Sequence, residues 1–131
     1  MKYLLDTGVW IWSLAAVEQL NSTATEILSN GQEELYLSAA TSWEVSIKMR
    51  LGKLHLPASP GECIPAFSVK QGLQWLAVTH THAFGVYDLP LHHRDPFDRL
   101  IIAQAIAEEM TILTADRVFA KYPVEVVWCG K

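Results

Sequence analysis

The sequence has 131 residues, of which half are hydrophobic and 18% are charged. This composition predicts a single folded domain spanning residues 1–131 and excludes a disordered or low-complexity chain. The 10 Lys and Arg against 14 Asp and Glu give a net charge of −4, which argues against a protein that binds nucleic acid through a generally basic surface.

Short apolar runs alternate with helical patterns, an order typical of an α/β fold with a parallel sheet. The predicted elements, in chain order, are a strand at 3–5, an apolar helical segment containing Trp10 and Trp12, a helix at 22–29, a strand at 35–37, a helix at 39–51, a helix from 60 towards 71, a strand at 75–78, a helix from 96 to about 109, and strands at 112–113 and 124–128. The helix that starts at 96 is apolar nearly all round, so we expect it to pack centrally against the sheet.

Three helix starts carry sequence signals. Ser38 is positioned to cap the helix at 39–51, and Ser59 with Glu62 has the capping-box form. Asp95 followed by Pro96 is a strong helix-start signal, because Asp is a good N-cap residue and Pro suits the first helical position.

The N-terminal segment and the two cysteines indicate a cytoplasmic protein without a membrane span. Lys2 and the apolar residues after it are typical of a signal peptide, but Asp6 interrupts the apolar run. Cys63 and Cys129 have no C-x-x-C partner and no His at zinc-finger spacing. We therefore expect both to be reduced thiols in the core.

Four of the five aspartates lie at element boundaries. Asp6 and Asp116 each follow a predicted strand, and Asp95 and Asp98 lie at the start of the apolar helix. Ligands of open α/β sheets collect at the carboxyl ends of the strands, so we expect these carboxylates to converge. Taken singly, each of them also has a structural explanation as a helix or turn cap.

Glu44 is harder to explain as a structural residue. The apolar stripe of its predicted helix contains Ala40, Ile47 and Leu51, which places a glutamate on the inner face. The alternative is an ion pair with Lys48 at i, i+4, which contributes only about 0.2–0.5 kcal/mol. Burying an unpaired carboxylate costs far more, and a bound cation resolves that conflict.

Carboxylates brought together repel one another unless a cation joins them. Oxygen ligands without cysteine favour Mg²⁺ or Mn²⁺ over zinc, and such ions activate water for phosphodiester hydrolysis. The sequence contains no G-x-S-x-G motif and no convincing Cys–His arrangement, so the acid cluster is the candidate for catalysis.

The sequence resembles PIN-domain proteins, and more narrowly the VapC-type ribonuclease toxins of bacterial toxin–antitoxin pairs. Four blocks carry the resemblance: LLDTGVWIW (4–12), LSAATSWEVSIKMRLGKLHLP (37–57), HHRDPFDRLIIAQA (92–105) and ILTADRVF (112–119). The resemblance implies a compact three-layer αβα domain with a short, mostly parallel sheet. It also implies a Mg²⁺- or Mn²⁺-dependent endoribonuclease with an RNA substrate and a cognate VapB-type antitoxin.

The acidic quartet of the family, which is both catalytic and metal-binding, falls on Asp6, Glu44, Asp98 and Asp116. Thr7 and Thr114 match hydroxyl residues that flank the metal site in the family. Asp95 matches only the narrower subgroup, so we interpret it as a helix cap that adds outer-shell charge.

Several basic residues adjoin the acidic blocks in sequence: Lys48, Arg50, Lys53, His93, Arg94, Arg99 and Arg117. They are candidates for holding phosphates, and Arg99 is assigned to the substrate-binding or outer-shell group. The alternative for each is a solvated surface cation. Trp10 and Trp12 cannot share one helix face, so one of them is expected to meet a second subunit in a homodimer.

Other interpretations of the sequence were considered. A haloacid-dehalogenase-type phosphotransferase needs an Asp where Gly8 stands, and a receiver domain needs an acidic pair beside Asp6. The remaining alternative is a non-catalytic nucleic-acid or protein-binding domain that keeps the PIN fold. His80 and His82 could ligate a metal from a strand, but no third ligand stands at a useful spacing, and surface or loop histidines are expected.

Overall fold

The computed structural model describes residues 1–131 and contains one five-stranded sheet, in which all strands are parallel, in the order β3-β2-β1-β4-β5. The strands are β1 Lys2–Leu5, β2 Glu34–Ser38, β3 Leu73–Leu76, β4 Thr111–Thr114 and β5 Val126–Trp128. The helices are α1 Thr7–Ala15, α2 Ser22–Ser29, α3 Ala39–Arg50, α4 Pro60–Gln71, α5 His80–Gly85 and α6 Pro96–Glu108, and short 3₁₀ turns span Val17–Gln19, Val86–Asp88 and Arg117–Lys121.

The sheet separates two hydrophobic cores, and its central strand β1 contributes to both. Tyr3 and Leu5 pack into one core, whereas Leu4 packs into the other, as the alternation of side chains along a strand requires. Buried residues of α1, α2 and α4 belong to the first core, and α6 contributes Ile101 and Ile102 to the second. The predicted three-layer αβα architecture and the central position of α6 are thus confirmed.

The helix starts follow the predicted signals at two of three places. The Ser38 side chain accepts from the Ala40 N–H at 2.9 Å, and Asp95 caps α6. Ser59 makes no side-chain cap bond, so the capping box predicted for α4 is wrong, although Pro60 does occupy the first helical position.

Strand β3 begins two residues earlier than predicted. Gly72 ends α4 with φ of +67°, a left-handed conformation that suits glycine, and the chain enters the sheet at the next residue. Leu73 pairs with Leu35 of β2, and the strand ends at Leu76.

Helix α5 occupies a segment for which no helix was predicted. Thr79 accepts from the His82 N–H, and the His82 ring accepts from the Thr79 N–H, so the two residues form a capping box. His82 is 1% exposed and its Nε2 lies 2.8 Å from Glu108, so its expected place on the surface or in a loop is wrong.

The tryptophans and cysteines are placed largely as expected. Trp10 is fully buried and Trp12 is half-buried. Cys63 and Cys129 are both free and buried. None of the six helices has the length and hydropathy needed to cross a bilayer.

Candidate metal centre

The four acids of the predicted quartet line one cleft of about 310 Å³ at the carboxyl ends of the strands. Asp6 directly follows β1, Glu44 lies in the middle of α3, Asp98 is in the first turn of α6, and Asp116 lies just beyond β4. Asp6 and Asp116 meet there because the carboxyl ends of parallel strands lie at the same edge of the sheet. Helices α3 and α6 bring Glu44 and Asp98 to the same cleft.

Asp6 is 5% exposed and is held by two hydrogen bonds. The Val9 N–H donates to Oδ1 at 2.6 Å, so Asp6 also caps α1, and the Thr114 hydroxyl donates to Oδ2. The pKa of Asp6 is raised to about 6, chiefly by burial and further by the charges of Asp116 and Glu44, while the two hydrogen bonds oppose this rise. Both bonds fix the carboxylate in place while its charged form remains costly.

The two threonines of the predicted site occupy different positions relative to the acids. The Thr114 hydroxyl joins two of them, because it donates to Asp6 and accepts from the Asp116 N–H at 3.0 Å. Thr7 lines the cleft, but its hydroxyl lies 3.0 Å from the Thr41 hydroxyl of α3. Thr7 therefore links α1 to the helix that carries Glu44.

Glu44 is 4% exposed, as the helical period predicted. The Lys48 ammonium donates to Oε2 at 2.7 Å, so the alternative ion pair is present too. This hydrogen bond is the main reason that the pKa of Lys48 is raised. Oε1 of Glu44 is buried and has no hydrogen-bond partner, which is costly for a carboxylate oxygen unless a cation is bound there.

The rest of the stripe predicted for α3 is only partly buried. Ala40 is 1% exposed, but Ile47 is 38% exposed and Leu51 is 62% exposed. The ring of Trp43 is packed edge-on against Phe97 of α6, with 4.9 Å between the ring centroids. The burial of Glu44 therefore does not come from a fully buried helix face.

Asp95 and Asp98 share the start of α6 but make different contacts. Asp95 accepts from the backbone N–H groups of Phe97 and Asp98 at 2.8 and 3.3 Å, as an N-cap does. Burial, and then the charges of Asp95, Asp6, Glu44 and Asp116, raise the pKa of Asp98 to about 8. A carboxyl group with this pKa is one whose charge is poorly compensated within the protein.

His93 is a site residue that the sequence did not single out. Its Nε2 lies 3.0 Å from Oδ2 of Asp98 and 3.0 Å from Oδ2 of Asp116, and the ligand atoms of these three residues all lie within 4.8 Å of one another. From the sequence, His93 was a candidate for holding phosphates, as one of several basic residues near the acidic blocks. The available signal was its spacing, two positions before Asp95, which lets the ring accept from the Asp95 N–H.

Arg99 does not line the cleft, and its substrate or outer-shell role stays a prediction. The residue is 9% exposed, and its guanidinium donates to the carbonyl groups of Pro90 at 2.8 Å and Val86 at 3.1 Å. Arg99 instead holds the segment that precedes α6, through its hydrogen bonds to these two carbonyl groups.

Replacing Arg99 by Met is therefore expected to lower the free energy of unfolding by about 3 kcal/mol, since at least two charge-assisted hydrogen bonds are lost. Urea denaturation measures the change, and Arg94→Met, at an exposed position, serves as the control. A variant of unchanged stability that loses RNA affinity would favour the substrate-binding role instead.

The residues present fit a divalent cation. The cleft offers carboxylate oxygens from several elements, burial or mutual repulsion raises the pKa of two of those acids, and the orphaned Oε1 of Glu44 lacks a partner. Oxygen donors of this kind suit Mg²⁺ or Mn²⁺.

Comparison with known proteins supports the same family. Ribonuclease VapC16 of Mycobacterium tuberculosis is 34% identical over 67 residues, 51% of this chain, and the chain spans about half the length of that relative, 47% of it. VapBC2 from Rickettsia felis, bound to a DNA fragment from their promoter, has a TM-score of 0.75 at 18% identity over 98% of this chain and 99% of that one. FitAcB from Neisseria gonorrhoeae has a TM-score of 0.62 at 25% identity over 95% of both chains. The family model of the PIN domain matches residues 3–125, so the chain belongs to the PIN domain family.

Proposed function

We propose that this protein is a metal-dependent endoribonuclease and the toxin of a toxin–antitoxin pair, acting as a single domain. The observation that carries the proposal is the convergence of Asp6, Glu44, Asp98 and Asp116 in one cleft, with the buried Oε1 of Glu44 left without a partner. The 34% identity to a protein named as a ribonuclease supports RNA as the substrate.

When bound, Mg²⁺ or Mn²⁺ activates water and stabilises the charge that develops on the phosphodiester oxygens. The four acids hold the ion, with Asp6 fixed by Thr114 and Val9. Thr7 and Asp95 act from outside the acidic quartet, Thr7 by joining α1 to α3 and Asp95 by capping α6 and adding charge.

Lys48 is the one lysine or arginine that lines the cleft, so it is the cation best placed to meet a phosphate of the substrate. Trp12 and Ile11 form an apolar wall of the same cleft. Cysteine chemistry does not compete with the acids, because Cys129 is buried and its pKa is raised to about 12, chiefly by that burial.

The proposed partner is a VapB-type antitoxin. Its support is the set of structural neighbours, which includes a toxin–antitoxin complex from Klebsiella pneumoniae with a TM-score of 0.64 at 18% identity over 95% of both chains. A homodimer that acts on RNA in the cytoplasm completes the proposal. Trp10 is buried, so of the two tryptophans on α1 only the half-buried Trp12 has surface to offer a second subunit.

Purified protein is expected to cleave RNA with Mg²⁺ or Mn²⁺ and to lose that cleavage in excess EDTA, because the acid cluster is the only candidate for the chemistry. Gel analysis of RNA fragments measures this, and restoring Mn²⁺ to the same sample is the control. Cleavage that persists undiminished in excess chelator would remove the metal mechanism. RNA binding without cleavage in either ion would favour the non-catalytic binding domain instead.

A further inference from the structure

The ring of His93 is oriented by a backbone N–H group. Nδ1 accepts from the Asp95 N–H at 3.2 Å, and an accepting nitrogen carries no proton. The neutral ring must then carry its proton on Nε2. The tautomer is therefore fixed by the Asp95 N–H group, which can donate a hydrogen bond but cannot accept one.

Nε2 faces two acids of the cleft. It lies 3.0 Å from Oδ2 of Asp98 and 3.0 Å from Oδ2 of Asp116, so its N–H is shared between a carboxylate of α6 and one that follows β4. The His93 side chain is 17% exposed, and its ring packs edge-on against Phe119 with 5.8 Å between the centroids. Its backbone N–H donates to the Tyr122 hydroxyl at 2.7 Å, which anchors the residue from the other side.

In a histidine that binds a metal, the proton and the lone pair have the opposite arrangement on the two ring nitrogens. Such a ring offers a lone pair to the ion and donates its other N–H to a carbonyl or carboxylate oxygen. In His93, Nδ1 accepts from the Asp95 N–H, so Nε2 carries the proton and has no lone pair for an ion. This holds although the distances from Nε2 to the two acids would suit a shared ion.

We propose that His93 is a positioning residue of the metal site and not one of its ligands: its Nε2–H joins Asp98 to Asp116 and holds the two carboxylates side by side for an ion bound through oxygen alone. This inference rests on the proposed function for the presence of the ion. The same N–H also keeps Asp98 of α6 and Asp116, which follows β4, in contact when no ion is bound.

The first test is the tautomer of His93 in the metal-free wild-type protein, read from two-bond ¹⁵N–¹H correlations of histidine-labelled protein at about pH 8. We expect the pattern of a ring protonated on Nε2 alone. A ring protonated on Nδ1 would overturn the inference, and this measurement needs neither RNA nor metal.

The second test is Mn²⁺ binding, followed by calorimetry and by pulsed electron paramagnetic resonance. His93→Gln keeps an N–H donor near the position of Nε2, whereas His93→Leu removes it, and His55→Leu is the control at an exposed position. The dissociation constant for Mn²⁺ is expected to rise about tenfold or more in His93→Leu and to stay within about threefold of wild type in His93→Gln, as for other residues that orient metal ligands.

The wild-type Mn²⁺ signal should show no coupling to a directly bound nitrogen. A strong nitrogen coupling that disappears in His93→Gln, together with a loss of affinity in that variant, would make His93 a ligand and overturn the inference. If the wild type binds no Mn²⁺ at all, the proposed function fails, and the tautomer measurement still decides whether His93 bridges the two acids as a donor.

Discussion

Asp98→Asn is expected to abolish RNA cleavage. The metal-free variant should be at least as stable as the wild type, with a free energy of unfolding higher by about 1 kcal/mol. The substitution keeps the size of the side chain and removes a charge that burial and four neighbouring acids disfavour. Mn²⁺ should raise the melting temperature of the wild type with increasing concentration and that of the variant much less. Thermal melts with and without Mn²⁺, run beside a cleavage assay, test both parts.

The same substitution should flatten the dependence of stability on pH. The pKa of Asp98 rises from 3.8 to about 8 on folding, so the folded protein binds a proton that the unfolded chain releases between these values. The resulting stabilisation is present below about pH 4 and is lost as the pH rises towards 8. Metal-free wild type should therefore weaken over this range more steeply than Asp98→Asn. An active variant that melts lower would instead make Asp98 only a helix residue and move the third carboxylate of the site to Asp95.

Glu44→Gln is expected to reduce cleavage by more than about 100-fold, because substitutions that only disturb the orientation of a metal ligand already cost 10- to 100-fold. The variant retains the shape of the side chain but removes the charge that its buried Oε1 offers to an ion. Mn²⁺ should no longer stabilise it against heat. The cost to the metal-free fold should be small, because the Lys48 side chain is 44% exposed and its ammonium can turn to water.

Glu62→Gln, at an exposed position on α4, is the matched control and should retain wild-type cleavage and wild-type stabilisation by Mn²⁺. Full activity with unchanged Mn²⁺ stabilisation in Glu44→Gln would leave the ion pair with Lys48 as the only role of Glu44.

The convergence of the acids was predictable because it follows from local signals. Asp6 and Asp116 each come directly after or close to the end of a short apolar run, and parallel strands place such positions along one edge. The boundaries of α2, at Ser22 and Ser29, were also predicted correctly, since Asn30 and Gly31 mark the end of the helix.

The contacts that were not predicted depend on partners distant in sequence. Arg99 is held by carbonyl groups that become available only when the segment before α6 folds over it. Helix α5 is too short for a clear period, and its buried His82 is satisfied by Glu108 and Gln104 from α6. A pattern along the chain shows that these residues are polar, but it does not show which buried groups they meet.

The pairing of β1 with β4 makes the cleft a product of late chain synthesis. Asp6 is fixed by Thr114, 108 positions further along the sequence, and its backbone N–H donates to the Leu113 carbonyl at 3.0 Å. A nascent chain that has emerged only as far as α3 holds Asp6 and Glu44 but has neither β4 nor Asp116. Such a chain cannot yet bring the four acids together, because the cleft forms only when β4 inserts beside β1.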